Sequence, residues 1–296
     1  MVQLAADVRA WRPPVPGVRE VLHAALDHAY PPHTHDTWTL FIVDEGAIRY
    51  ALDRREGGEG QTMVSILPPH VVHDGRPASS NGYRKRVVYL ETELLGEHLI
   101  GAAVDRPQFP DPAMRAEVVR LHDALECVDD ALEAETRLHL LVERIRDSFG
   151  DRAPSEVPSH DAAEALRAYL DSHLFEPLTL TAAADELDAS PTHVARAFSE
   201  RFGIAPHAYV IGRRLDAART RILDGQPLAD VATEVGFYDQ AHLTRRFKRF
   251  LSVTPGRFAG PQSRSSSRYP LDYHGAAVGR RRRHATPAAP MRGDLG

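Results

Sequence analysis

Cysteine is almost absent: Cys127 stands alone in 296 residues, which excludes an intrachain disulfide and any zinc site built on several thiolates. Cys127 itself sits on a helical pattern and reads as packing. No stretch approaches the roughly 18 apolar residues of a membrane-spanning helix, and no basic segment followed by an apolar run opens the chain. A cytoplasmic protein without a membrane partner is therefore expected. A basic excess is missing as well. The net charge is −5, from 36 Lys and Arg against 41 Asp and Glu, so overall charge gives no general attraction to nucleic acid. What remains is an ordinary soluble composition, 43% hydrophobic and 26% charged, long enough for about two domains.

Divided along the chain, the charge is uneven. Residues 1–159 carry 17 Lys and Arg against 26 Asp and Glu, residues 160–260 carry 12 against 13, and residues 261–296 carry 7 against 2. Any contact with phosphate has to come from local clustering. One cluster lies in the stretch from Asp224 to Phe258, which reads as a helix, a tight turn and a second, basic helix. Pro227 suits a first helical position, and Leu228, Val231, Ala232 and Val235 recur at helical spacing. Gly236 can take the positive φ of the turn, Phe237 plugs the joint, and Asp239 is a good N-cap. The second helix would turn Leu243, Phe247, Phe250 and Leu251 inward. Gln240, Ala241, His242, Arg245, Arg246, Lys248 and Arg249 are left on the outer and flanking faces as donors for bases and phosphates.

The same plan occurs twice. An offset of 49 pairs Ser190 with Asp239, Phe198 with Phe247, Pro206 with Pro255 and Tyr209 with Phe258. The earlier copy has Thr179 as N-cap, an apolar face of Leu180, Ala183, Ala184 and Leu187, and then Ser190-Pro191 opening a second helix that ends near Phe202-Gly203. Ile211, Leu215, Ala218 and Ile222 mark one face of a connecting helix between the two units.

At these residues the segment from about Ala165 to Phe258 resembles the DNA-binding domain of AraC/XylS-type bacterial transcription regulators. The resemblance rests on Gly236-Phe237, Asp239, the run Leu243 to Lys248, Thr254-Pro255, and Arg214-Leu215 with Ala218. It departs at Asp188 and Ser252, where the family pattern has Gly; Asp can hold a left-handed turn at modest cost, so a change in stability more than in function is expected. By position and by resemblance, Thr192, Ala195 and Arg196 of the first unit, and Gln240, Ala241, His242 and Arg245 of the second, are expected at base edges. Arg246, Lys248 and Arg249 are expected on the phosphates.

The N-terminal third has a different texture. Residues 1–20, with Pro13, Pro14 and Pro16 around Trp11, fit an extended arm. Segments 37–43, 47–52, 63–67 and 86–90 read as strands bounded by Gly, Pro or Asp, which suggests a β-barrel or sandwich. The entry Pro31-Pro32-His33-Thr34-His35, the Gly46 turn and the strand exit from Pro68 to His73 resemble, more loosely, the cupin-like effector-sensing domain of many AraC-type regulators. In metal-dependent cupin enzymes an HxH pair is followed by Glu and by a later His. Here His33, His35 and His73 fit that plan, but Thr39 and Leu40 stand where Glu would be. We therefore expect His33, His35, Trp38 and His73 to line a pocket for a small-molecule effector. No metal, cofactor or catalytic residue is assigned.

From Asp111 to Gly150 the apolar period becomes helical, with one face packing on the barrel and, by resemblance, another forming a homodimer interface. The expected class is α+β multidomain. A cupin-like effector-binding barrel covers 1–105, a helical dimerisation or packing segment 106–150, a linker 151–160, an all-α domain with two helix-turn-helix units 161–260, and a disordered basic tail 261–296. The reading is a transcription regulator, not an enzyme, whose grip on double-stranded operator DNA is set by an effector. A metal-dependent cupin enzyme with a helical accessory domain is the alternative.

Overall fold

The computed structural model describes residues 7–259 except 54, 128–129 and 152–159. Most of the expected linker and the whole basic tail lie outside the described residues. The architecture is mixed α and β, with a strand-rich N-terminal domain and a helical C-terminal domain.

Ten strands form two antiparallel sheets among the described residues. One contains, in spatial order, β1 (Asp7–Trp11), β2 (Val18–Leu26), β9 (Tyr83–Leu90), β4 (Trp38–Gly46), β7 (Val64–Leu67) and β10 (Gln108–Phe109). The other contains β3 (Tyr30–His33), β8 (His73–Pro77), β5 (Ile48–Leu52) and β6 (Arg55–Glu59). The N-terminal arm is thus a strand in part. β1 pairs with β2 at the sheet edge, and the Trp11 indole N–H donates to the Leu125 carbonyl at 3.0 Å.

Strand β4 explains how the domain is layered. Because side chains alternate across a strand, Phe41 and Val43 meet Ile48, Tyr50 and Leu52 of the second sheet, inside the barrel. Trp38, Leu40 and Ile42 point the other way, into a second core closed by α3 (Pro112–Leu125) and α4 (Ala131–Phe149). A strand buried on both faces reads as a nearly continuous apolar run, and Trp38 to Val43 does, with Thr39 its one polar member.

Helix α3 starts where Asp111 accepts from Ala113 N and Met114 N at 2.9 and 3.0 Å, with Pro112 at its first position. Helix α4 stops at Gly150, whose φ is +80°. Its face of Ala134, Leu138, Leu141, Val142 and Ile145 packs on the barrel domain. Its other face contributes Leu132 and Leu140 to the core of the C-terminal domain of the same chain.

That domain runs through α5 (His160–Ser172), α6 (Leu180–Glu186), α7 (Pro191–Phe202), α8 (Pro206–Leu223), α9 (Leu228–Glu234), α10 (Gln240–Leu251) and α11 (Pro255–Phe258). The internal repeat is structural. Ser190 and Asp239 cap α7 and α10 by accepting from His193 N and His242 N, and Phe198 and Phe247 are both fully buried. Each unit has its own core, one around Phe198 and one around Phe247, and α8 contributes Val210 to the first and Leu215, Ala218 and Ile222 to the second. Pro227 stands one position earlier than expected, as the N-cap of α9.

Candidate nucleic-acid interface and barrel cavity

In the second unit, Gly236 turns the chain at φ +80° and Phe237 is buried in the joint. A buried guanidinium braces that turn from outside: Arg214 donates to the carbonyls of Leu174, Glu176 and Gly236 at 2.7, 2.6 and 2.6 Å. On α10, Leu243 and Phe247 point inward as expected. Phe250 does not; it is 63% exposed, and Leu251 with Phe258 of α11 takes the place beside Phe247. Gln240, Ala241, Arg245, Lys248 and Arg249 are exposed.

The remaining DNA-contact candidates are placed differently. His242 is buried, with Nε2 3.0 Å from Asp130, and Arg246 pairs with both Asp130 and Glu133. Burial would raise the Asp130 carboxyl, but hydrogen bonds from His242 and Arg246 outweigh it and hold the group at about 2. In the first unit, Arg196 on α7 donates to Glu143 of α4 at 2.7 Å, and Thr192 shares a 3.0 Å hydrogen bond with His139 of α4. Ala195 belongs to the core of that unit and has no exposed surface. The helical register explains this: Ala195 lies between Val194 and Phe198 on the inward face, so a position adjacent in sequence to Arg196 is on the wrong side for a base. Nothing in the sequence marks these acidic partners, because Asp130, Glu133 and Glu143 read there as solvated charges on an amphipathic helix.

Within the barrel, His33 and His73 are direct partners in the β3–β8 register, and His35 is fixed by its own carbonyl, which accepts from His70 N at 2.7 Å. The three rings lie with centroids 4.5 to 4.9 Å apart, and one nitrogen from each falls within 4.8 Å of the others. His33 Nδ1 is 2.7 Å from the Pro31 carbonyl and His73 Nδ1 is 3.0 Å from the Val71 carbonyl. Since a carbonyl only accepts, both Nδ1 atoms carry a proton, and in the neutral ring it is Nε2 that presents a lone pair. Burial, then the neighbouring His73, His33 and Lys85, push the His35 imidazole down to about 4, and burial lowers His73 as well. His35 and His73 are therefore neutral at pH 7, and the cluster is rich in acceptors. It offers three nitrogens to a divalent metal, or to an organic ligand that donates hydrogen bonds. Thr39, where the cupin pattern has Glu, also lines the cavity and supplies only a hydroxyl.

The cavity around these rings measures about 350 Å³ and is also lined by Tyr30, Phe41, Tyr50, Lys85 and Tyr89. Trp38 is not among its lining residues. It is fully buried on the opposite face of β4, toward α3 and α4, so its expected place beside the histidines is corrected by the parity of the strand.

Comparison with known proteins follows the same division. Residues 18–142 match the family described as the AraC-like ligand-binding domain, and residues 183–260 match a helix-turn-helix domain family. A relative from Bacillus subtilis, the uncharacterized HTH-type transcriptional regulator YbfI, is 25% identical over 223 residues, covering 72% of this chain and 81% of the relative. The transcriptional regulator Rob of Salmonella typhimurium is 34% identical over 94 residues, 31% of this chain and 32% of its own length. Among solved structures, an apo form of ToxT from Vibrio cholerae aligns over 84% of this chain and 98% of its own at 12% identity and a TM-score of 0.35. No helix among the described residues is long and apolar enough to cross a membrane.

Proposed function

We propose that this chain, which belongs to the AraC-type transcription regulators, reads operator DNA through α7 and α10 and is controlled by a small molecule held between the two sheets of its barrel. The observation that carries the DNA half is the duplicated unit itself. Two capped helices, α7 and α10, stand at matching positions on a common spacer, α8, and α10 carries Arg245, Lys248 and Arg249 in solvent. A helix presented in this way fits a major groove, and two on one spacer would reach successive grooves about 10 base pairs apart. Arg245→Ala is expected to cost about 1 to 3 kcal/mol at one base position and to relax specificity there without unfolding the domain. Footprints identical to wild type at every base would remove Arg245 from the readout.

The observation that supports the effector half is the histidine cluster facing a cavity large enough for a small organic molecule. His33, His35 and His73 orient the ligand through lone pairs, while Tyr30, Phe41 and Tyr89 supply apolar wall. Replacing the three histidines with Ala should abolish the response of DNA binding to effector and leave effector-independent affinity largely unchanged. A triple variant that still responds normally would take these residues out of the site. Stoichiometric metal retained through purification would make the ligand a metal complex.

A further inference from the structure

The candidate DNA contacts do not share one environment. Five of α10's face solvent, whereas Thr192, Arg196, His242 and Arg246 are each engaged by α4 or by its N-cap Asp130. The engagement is ordered. His139 meets Thr192 and Glu143 meets Arg196 at the same sequence separation, 53 residues, so α4 and α7 run parallel and side by side through that turn. Farther toward the N-terminus of α4, Asp130 and Glu133 hold His242 and Arg246 of α10. At a rise of about 1.5 Å per residue, Asp130 to Glu143 spans about 20 Å, which lets a single helix reach both recognition helices. Its carboxylates sit where a recognition helix would otherwise offer its cations to phosphate.

We infer that α4 is a built-in competitor of DNA: in the described state it lies over the reading face of α7 and holds Arg196 and Arg246 with its own carboxylates, so the first unit cannot enter a groove until α4 leaves. This rests on the proposed reading of α7 and α10 as groove helices. A major groove admits a helix only with that face bare, and α7 has Glu143 and His139 in the way.

The contact is polar more than apolar: besides the pairs above, Glu135 accepts from Thr181 N and Oγ1 at 2.7 and 2.8 Å. Leu132 and Leu140 of α4 join the core of the C-terminal domain, against six apolar residues that tie the same helix to the barrel. The joint is imperfectly filled: a cavity of about 350 Å³ lies between Leu132, Leu178, Val210 and Phe237. His207 and His242 border it, and the Nδ1 atom of each is buried without a hydrogen-bond partner among the described residues. An unmet buried polar atom is a cost that disappears on exposure to water. When the contact opens, α4 stays with the barrel and the C-terminal domain leaves with its cations uncovered.

The test needs a variant that loosens this contact without altering charge near DNA. Leu132→Ala with Leu140→Ala in the full chain does so, read by fluorescence anisotropy with a labelled duplex of mixed sequence, about 30 base pairs long, at low salt. Affinity should rise about tenfold, and the salt dependence should steepen by about one to two phosphate contacts as Arg196 and Arg246 become available. Equal affinity and equal slope in wild type and variant would overturn the inference while leaving the DNA reading intact. If no form binds duplex, the DNA reading falls and the inference with it. Should the double variant fail to fold, a second arm decides. In a Cys127→Ser background, His139→Cys and Thr192→Cys joined by a short bis-maleimide keep α4 on α7. The joined protein should bind duplex at least about tenfold more weakly than the same protein left unjoined; equal binding would overturn the inference.

Discussion

Replacing Arg214 should loosen the C-terminal domain more than its position on the connecting helix suggests. Its guanidinium is buried and reaches three backbone carbonyls at once, two in the segment after α5 and one at the turn between α9 and α10. Burial lowers its pKa to about 10, which still leaves it charged at pH 7. Three hydrogen bonds from a charged donor, at about 1.5 kcal/mol each, are worth about 4 to 5 kcal/mol, and relief from burying the charge offsets part of that. Arg214→Met should therefore cost about 2 to 4 kcal/mol. Arg214→Lys should cost at least as much, because an ammonium keeps the burial penalty yet cannot fork to three carbonyls. Urea unfolding of the full chain, followed by circular dichroism, measures both. A lysine variant within about 0.5 kcal/mol of wild type would show that charge alone matters and refute the bracing geometry.

Ser252 sits at φ +62° and Asp188 at φ +50°, both where the family pattern has Gly; Ser252→Gly should raise stability by up to about 1 kcal/mol and Asp188→Gly by less, since Asp tolerates this region better, as thermal melts would register. Gly236→Ala should do the reverse, because φ is +80° and the new Cβ would lie 2.9 Å from both Arg214 Cζ and the Phe175 carbonyl oxygen; a melting temperature unchanged by this substitution would contradict the tight turn. His207 is held neutral by burial, with its pKa lowered to about 4 from 6.5. The unfolded chain therefore binds this proton first as pH falls, and stability drops between pH 6.5 and 4 by up to about 3 kcal/mol from this residue. In His207→Gln the urea midpoint should fall less steeply over that window.

How much of this is legible in the sequence depends on whether the signal is local. The helix-turn-helix units are, because N-caps, Pro at first helical positions and the Gly236 turn are written within a few residues of one another, and the repeat doubles each signal. The histidine cluster is also legible, since strand entry and strand exit bring His33 and His73 into register. The orientation of Trp38 is not. A strand buried on both faces has no polar alternation to set its parity, and only the amphipathic pattern of α3 and α4, which need a partner, shows that one face of β4 must point away from the barrel interior. Phe250 misleads for a related reason: it shares the helical face of Leu243, but Leu251 and Phe258 fill the core at its level. The contacts of Asp130, Glu133 and Glu143 are illegible outright. They join residues 53 or more positions apart across two domains, and a glutamate on an amphipathic helix looks the same whether water or an arginine faces it.

The two halves of the proposed control meet in a thin layer. Phe41 and Thr39 on one face of β4 border the cavity, and Trp38, Leu40 and Ile42 on the other carry α3 and α4. A ligand between the sheets is thus separated from the helix that holds Arg196 and Arg246 by one strand. Close packing resists compression, so a shift of β4 has to be taken up by the helices resting on it or by strain within the barrel. The helical side has the weaker restraint, because the outer face of α4 ends at a polar contact with a cavity in it, while its inner face rests on a filled apolar core. Displacement should pass outward for that reason. It also fixes what an effector has to do: bind the barrel more tightly in the form in which α4 has left α7, since a ligand indifferent to the two forms shifts nothing however tightly it binds.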